Sequence, residues 1–208
     1  EFGTMDFCEG IDAETEIDAT GKIVLPSWCD SHTHIVYAGN RVPEFVDRIN
    51  GLTYAEIANR GGGILNSAKQ LQDTSEDELY EQSMRRLDEM IAMGTGAVEI
   101  KTGYGLTVEA ELKMLKVIRR IKQDTLAKIA PTLLAAHAIP TEFKDNKQAY
   151  IDKIINELIP KASSLRIAKY IDVFCEDGYF SVEDTEAILK AGKKHNLIPK
   201  IHVNQFNV

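Results

Sequence analysis

The sequence is poor in cysteine, in positive charge and in long apolar runs. Its 208 residues include three cysteines and one tryptophan, and 24 lysines and arginines stand against 32 aspartates and glutamates, a formal net charge of −8. The three cysteines have no paired spacing, which argues against a disulfide framework and favours a reducing cytoplasm. Because nucleic acid and anionic membranes attract basic surfaces, we expect neither as a partner. No apolar run reaches the length of about 18 residues that spans a bilayer.

Apolar, β-branched runs alternate with helical patterns along most of the chain. The runs cover residues 22–25 leading into 34–37, then 97–100, 129–136, 171–174 and 198–203. Their hydrophobicity is continuous rather than alternating, which is typical of parallel strands buried on both faces. Between them, Ser75 with Glu78 predicts a capping box, Thr107 and Ser181 predict two further helix starts, and residues 151–158 predict a fourth helix.

This alternation predicts an α/β protein built from right-handed βαβ units, either a doubly wound sheet or a (β/α)₈ barrel. The chain contains five strand runs. A complete barrel has eight strands and typically about 250 residues. The count therefore favours roughly the first five-eighths of a barrel.

Polar side chains follow the ends of the predicted strands. His32 and His34 are two residues apart, so on a strand both imidazoles face the same side and can reach one metal ion. Tyr104 follows the second run in a glycine-rich turn, His137 ends the third and His202 ends the fifth. Taken singly, His137 is equally well explained as a hydrogen-bonded core residue and Tyr104 as a packing aromatic. Four such strand ends together favour a site, because barrels carry their catalytic groups there.

Several motifs together resemble those of the imidazolonepropionases, amidohydrolase-superfamily hydrolases of histidine degradation. They lie at residues 30–34, 39–41, 61–64, 99–106 and 111–115, and the match continues through 136–138, 172–176 and 202–205. The resemblance runs from about residue 17 to the last residue. Its most specific segment is Lys-Thr-Gly-Tyr-Gly-Leu at residues 101–106.

The resemblance implies a fold and a cofactor. The fold is the (β/α)₈ TIM barrel of a metal-dependent hydrolase, of which the chain would comprise the first about five β/α units with a remnant of a flanking β-sandwich. The cofactor is one divalent metal ion, zinc or iron, held by His32, His34 and His202. Imidazole ligands suit both metals, so the residues leave that choice open.

The resemblance also implies how a small-molecule substrate is bound. Arg41 and Tyr104 would bind the propionate carboxylate of 4-imidazolone-5-propanoate, for which the planar guanidinium is a geometric match. His137 would be the catalytic residue that faces the ring and donates a hydrogen bond to its carbonyl. Gln205 stands where some relatives carry glutamate, and since an amide cannot accept a proton at neutral pH, we expect Gln205 to orient the substrate.

Three segments are predicted along the chain. Residues 1–4 read as a cloning remnant, residues 5–25 as the β-sandwich remnant and the lead-in to strand one, and residues 26–208 as the N-terminal part of the barrel. No residue matches the aspartate that the family carries after its eighth strand. We therefore expect this chain to show little or no activity by itself.

Three alternatives stay open at the level of sequence. A deaminase of a purine or pyrimidine belongs to the same superfamily, but its neutral substrate offers no carboxylate for Arg41. A barrel aldolase would use Lys101 as a Schiff-base amine. In the third alternative the chain is a non-catalytic fragment that self-associates. Because a partial barrel exposes strand edges and apolar surface, we expect a homo-oligomer.

Overall fold

Five parallel strands form one sheet in the computed structural model, which describes residues 12, 14–53, 56–57 and 63–205. The strands are β1 (Trp28–Thr33), β2 (Thr95–Lys101), β3 (Lys128–Ala136), β4 (Tyr170–Val173) and β5 (Ile198–Pro199). Their spatial order is β1-β2-β3-β4-β5, and each neighbouring pair is parallel. Doubly wound sheets reverse their strand order at a switch point. This order has no reversal, so the described sheet is compatible with part of a (β/α)₈ barrel.

Helices connect the strands. They are α1 (Val42–Ile49), α2 (Ile64–Asp73), α3 (Glu76–Ala92), α4 (Val108–Asp124), α5 (Lys147–Lys153), α6 (Ile159–Ser164) and α7 (Val182–Lys194). A π-helical turn at Ile154–Leu158 joins α5 to α6, and a 3₁₀ turn lies at Thr141–Phe143. The sequence pattern predicts α3, α4, the α5–α6 helix and α7, but not α1 or α2. Within the described ranges, no helix has the length and apolar character needed to cross a membrane.

The hydrophobic core lies between the sheet and its helices. Ile100 and Leu133 on the strands are fully buried, as are Leu115 and Ile118 on α4. The two α4 residues are three apart, so they lie on one face of the helix and pack together onto the sheet. This packing holds α4 against the sheet.

Side-chain caps begin three of the helices at the predicted residues. Thr107 and Ser75 each accept a hydrogen bond from a backbone N–H of the first turn. Of the capping box predicted at Ser75, only the serine half forms: the described hydrogen bonds include none from the Ser75 backbone to Glu78, whose Oε1 accepts from the Gln82 amide at 3.1 Å. A reciprocal capping box forms instead at Ser181, where α7 begins.

The prediction for the first strand is wrong in position. Residues 22–27 have no regular secondary structure, and Ile23 and Val24 remain 85% and 82% exposed. β1 occupies Trp28–Thr33, and most of its residues are polar. They are exposed because, within the described residues, β1 pairs only with β2 and few side chains cover it. Residues 14–25 contain no strand that could belong to a β-sandwich remnant. The predictions on residues 1–11, 61 and 62 lie outside the described residues.

Gly192 provides a test of the contact between α7 and β4. A Cβ atom at this buried position would lie 2.6 Å from Cγ2 of Ile171, a β-branched side chain in the core. Alanine normally stabilises a helix interior by about 1 kcal/mol relative to glycine. Overpacking a core costs about 1–3 kcal/mol, so we expect Gly192→Ala to lower the free energy of unfolding.

Urea denaturation measures this change. Lys190→Ala, on the exposed side of the same helix, is the control and should shift the free energy of unfolding by no more than about 0.5 kcal/mol. In an Ile171→Ala background the cost of Gly192→Ala should largely disappear, because the crowded atoms are gone. Stabilisation by Gly192→Ala alone would contradict the close packing.

Candidate metal and substrate site

The carboxyl ends of all five strands surround one cavity. Because the strands are parallel and adjacent, the residues that follow them meet at one edge of the sheet. The cavity has a volume of about 660 Å³, in the range of small-molecule sites. Every site residue predicted from the sequence lines it: His32, His34, Arg41, Tyr104, His137, His202 and Gln205.

Three of these histidines form a compact group. His32 belongs to β1, His34 follows its last residue, and His202 pairs with Phe174 beyond the end of β5. One ring nitrogen from each of the three lies within 4.8 Å of the others. Two nitrogens bound to one zinc ion at about 2.1 Å are at most about 4 Å apart. The group therefore has close to the spacing that a shared metal ion requires.

The hydrogen bonds around the group fit metal binding. Nδ1 of His34 is buried and has no hydrogen-bond partner in the described part of the chain. Nδ1 of His202 lies 2.7 Å from Oδ2 of Asp172. A carboxylate accepts, so Nδ1 donates, and in the neutral ring Nε2 keeps its lone pair available as a ligand. A buried nitrogen without a partner and a fixed tautomer both suit a divalent cation.

Burial keeps two histidines of the cavity neutral. It lowers the pKa of His34 to about 3, with additional repulsion from the neighbouring histidines His137, His202 and His32. Burial likewise lowers the pKa of His32, with a further contribution from His202. Neutral imidazole is the form that binds a metal ion, so the electrostatic environment favours ligation over protonation.

A buried network of charged groups lies behind His202. Nζ of Lys101 is 2.9 Å from Oε2 of Glu99 and 2.7 Å from Oδ2 of Asp172. The Lys200 ammonium contacts the other Glu99 oxygen at 2.6 Å. Burial acts to raise the pKa of Asp172, but the hydrogen bonds from His202 and Lys101 outweigh it and lower the pKa to about 2. Lys101 is thus held between two carboxylates, outside the cavity lining, which disfavours a Schiff-base role.

A second buried carboxylate shapes the loop that carries Tyr104. Glu111 is fully buried and accepts hydrogen bonds from the backbone N–H groups of Gly103, Gly105 and Leu106 at 3.1, 2.7 and 3.1 Å. Gly103 has φ of 113°, and a Cβ atom there would lie 2.8 Å from the His137 ring. Glycine is therefore required where this loop passes the site.

One hydrogen bond of His137 bears on its predicted role. Its Nδ1 lies 3.0 Å from the carbonyl oxygen of Gly103, which can only accept, so Nδ1 donates and Nε2 is an acceptor in the neutral ring. Burial lowers the pKa of His137 to about 4, although the bond to Gly103 opposes this shift. The neutral ring therefore offers the cavity a lone pair, and donation from His137 to a substrate carbonyl stays a prediction that requires the protonated ring.

The charged residues at the mouth of the cavity come from α1 and its start. Nε of Arg41 donates to Glu44 at 2.7 Å, and Glu44 also accepts from the backbone N–H of Gly63 at 2.9 Å. Burial acts to raise the pKa of Glu44, but these bonds outweigh it and lower the pKa. Arg48 lines the same cavity one turn further along α1.

Several residues of the site were not predicted from the sequence. Glu44, Arg48 and Tyr179 line the cavity, and Glu176 accepts from the backbone N–H of Gln205 at 2.5 Å. The position of Asp172 at the end of the fourth strand was the available signal for its contact with His202. No local pattern marks Arg48, because its place depends on how α1 packs over the strand ends.

The pKa of His137 makes stability depend on pH. In the unfolded chain this histidine has its ordinary pKa of 6.5, and in the folded chain about 4. The unfolded state therefore binds the proton first, and stability that is present above pH 6.5 is lost as pH falls towards 4. We expect this group to account for about 2 kcal/mol of the stability lost between pH 7 and pH 5 in metal-free protein.

Asparagine at position 137 can keep the hydrogen bond to Gly103 without titrating. Urea denaturation at several pH values should thus show a smaller loss for His137→Asn than for the parent. His195→Asn, at the end of α7 and away from the cavity, is the control and should follow the parent. Parallel curves for His137→Asn and the parent would contradict the predicted shift.

The chain is similar in sequence to several known proteins. No protein-family model matches the chain. The chain is 63% identical over 207 residues to an imidazolonepropionase of Christiangramia forsetii and 62% identical to one of Flavobacterium johnsoniae, covering 100% of this chain and 50% of each relative. A third, from Thermoanaerobacter pseudethanolicus, is 43% identical over 94% of the chain. The chain spans about half the length of the curated relatives it matches. Over its whole length, then, the chain is a homologue of the imidazolonepropionases and corresponds to about half of one.

Proposed function

We propose that this chain is part of a metal-dependent hydrolase that opens the cyclic amide of 4-imidazolone-5-propanoate to give N-formimidoyl-L-glutamate. The observation that carries the proposal is the meeting of four histidines, two arginines and Tyr104 in one cavity at the strand ends. The names of the relatives support it. We also propose that the five-stranded sheet belongs to a (β/α)₈ TIM barrel of the amidohydrolase superfamily, since its strand order is sequential.

The charge of the cavity favours an anionic substrate over a neutral nucleobase. Arg41 and Arg48 are positive and Glu44 is negative, which leaves a net charge of +1 when the histidines are neutral. One carboxylate would balance this charge, whereas a purine or pyrimidine would not. The proposed roles of Arg41 and Tyr104 in binding the propionate are consistent with this balance.

His32, His34 and His202 would hold one divalent ion, zinc or iron. When bound, such an ion polarises a carbonyl and lowers the pKa of water towards about 7. The residues of this chain contribute positioning: Asp172 fixes the ring of His202, and β1 places His32 beside it with ring centroids 4.3 Å apart.

In the proposed reaction, the oxygen of water adds to the ring carbonyl carbon, the ring C–N bond breaks, and the proton that the water loses goes to the released nitrogen. Nε2 of neutral His137 can accept a hydrogen bond from a substrate N–H and so orient the ring. Its ring stacks on His34 with a centroid distance of 5.0 Å, next to the proposed metal. The side chain of Gln205 would orient the substrate from the rim, where its backbone is fixed by Glu176.

Self-association stays a separate proposal. The apolar side chains of α1, Val42, Phe45, Val46 and Ile49, are between 48% and 70% exposed. They recur at helical spacing and form one apolar face, which a second copy of the chain would cover. A homo-oligomer and a cytoplasmic location remain compatible with the proposed activity.

Recognition of the carboxylate can be tested by calorimetry with the zinc-loaded chain. We expect 4-imidazolone-5-propanoate to bind at least about tenfold more tightly than its propanamide, because a hydrogen bond to a charged group contributes about 1.5–3 kcal/mol. Arg41→Gln should remove most of this preference. Arg85→Gln, on the exposed face of α3, is the matched control and should retain it. Tighter binding of a neutral purine or pyrimidine would favour the deaminase.

Metal binding is a second test. Elemental analysis after dialysis should find one zinc or iron ion per chain, and His32→Ala with His202→Ala should abolish it, since one remaining ligand cannot hold an ion alone. His195→Ala removes a histidine remote from the cavity and should leave the metal content unchanged. Retention of metal by the double variant would show that the ion is bound elsewhere.

A further inference from the structure

The proposed metal ligands do not all have the same support from the surrounding protein. Nδ1 of His34 has no hydrogen-bond partner among the described residues, whereas Nδ1 of His202 is bonded to Asp172. Asp172 is 1% exposed and lies on β4, the strand next to β5. It does not line the cavity, so it has no direct contact with a substrate there.

We infer that Asp172 is the positioning residue of His202, and that Lys101 holds Asp172 in place for this purpose. The inference deepens the proposed function and rests on its metal site. Asp172 accepts the Nδ1–H of His202 at 2.7 Å, which fixes both the tautomer and the orientation of the ring. The other ring nitrogen, Nε2, is thereby left with the lone pair that a metal ion needs.

Both carboxylate oxygens of Asp172 are engaged by donors of the chain, which suits a positioning role better than that of a metal ligand. Its Oδ2 atom accepts from Lys101 at 2.7 Å as well as from His202. Its Oδ1 atom accepts from the backbone N–H of Val173 at 2.8 Å. Lys101 on β2 and the backbone N–H of Val173 on β4 therefore fix the orientation of the carboxylate. The ring of His202, the third donor, is oriented by this fixed carboxylate.

Lys101 connects this arrangement to the rest of the sheet. Its ammonium lies between Asp172 and Glu99, and Glu99 also accepts from Thr132 on β3 at 2.5 Å and from Lys200 at 2.6 Å. The two carboxylates of Glu99 and Asp172 are matched by the ammonium groups of Lys101 and Lys200, so each buried charge has a partner of opposite sign. Direct and indirect contacts from β2, β3, β4 and the end of β5 thus restrain Oδ2 of Asp172, the oxygen atom that faces His202.

The tautomer of His202 can be measured without any substitution. Long-range ¹⁵N–¹H NMR correlations of the metal-free chain at neutral pH should show His202 with its proton on Nδ1. A dominant Nε2–H form would overturn the inference, because Asp172 could not then accept from the ring.

Asp172→Asn tests the consequence for metal binding. Asparagine has the same shape, but it has only one acceptor atom: its NH₂ group faces either the backbone N–H of Val173 or the donors Lys101 and His202. We expect the zinc affinity, measured by competition with a chromophoric chelator, to fall by about 10–100-fold, the usual effect of losing such a partner. The control is Asp184→Asn. Asp184 lies in the first turn of α7 and forms an ion pair with Lys147 of α5, away from His202, so the zinc affinity of this variant should stay within about twofold of the parent.

The outcomes separate this inference from the proposed function. If His32→Ala with His202→Ala abolishes zinc binding while Asp172→Asn matches the parent, the metal site stands and the role of Asp172 is wrong. If the double variant binds zinc as the parent does, the proposed metal site itself fails. Should Asp172→Asn not fold, the NMR measurement on the parent chain decides the question.

Discussion

The Lys101 ammonium, held between the buried carboxylates of Glu99 and Asp172, is the interaction on which the arrangement of the site depends. Bringing charges into a protein interior is costly unless they are paired and hydrogen-bonded. Here the pairing spans β2 and β4, and Thr132 and Lys200 add contacts from β3 and from the end of β5. The same charges that need one another therefore connect β2, β3, β4 and the end of β5.

The site uses two different environments side by side. Behind His202, Glu99, Lys101 and Asp172 are buried, and each charged group of this network has a partner of opposite charge. The cavity in front of it contains neutral histidines, since burial lowers the pKa of His34 to about 3 and of His137 to about 4. Lone pairs are therefore available at the strand ends, and net positive charge is confined to Arg41 and Arg48 near α1. That division suits a cation at one end of a small anionic molecule and a guanidinium at the other.

Much of the fold could be predicted because its signals are local. Continuous apolar runs mark β2, β3 and β4, which are buried, and hydroxyl side chains at Ser75, Thr107 and Ser181 mark helix starts. The first strand escaped this reasoning, since β1 is a polar edge strand and the apolar residues 22–25 before it are exposed. Helices α1 and α2 escaped it as well. Few residues of α2 and none of α1 are buried, and the available signal for α1 was the helical spacing of its apolar residues, Val42, Phe45, Val46 and Ile49.

The sequence by itself determined which side chains meet at the strand ends, because parallel strands in sequential order bring those ends together whatever the details of packing. His32, His34, Arg41, Tyr104, His137, His202 and Gln205 all line the cavity for that reason. Only the tertiary structure decided what each can do. The bond to Gly103 makes neutral His137 an acceptor, and the bond to Asp172 leaves Nε2 of His202 available as a ligand. Hydrogen-bond partners far apart in sequence set a proton's position, and no local pattern records them.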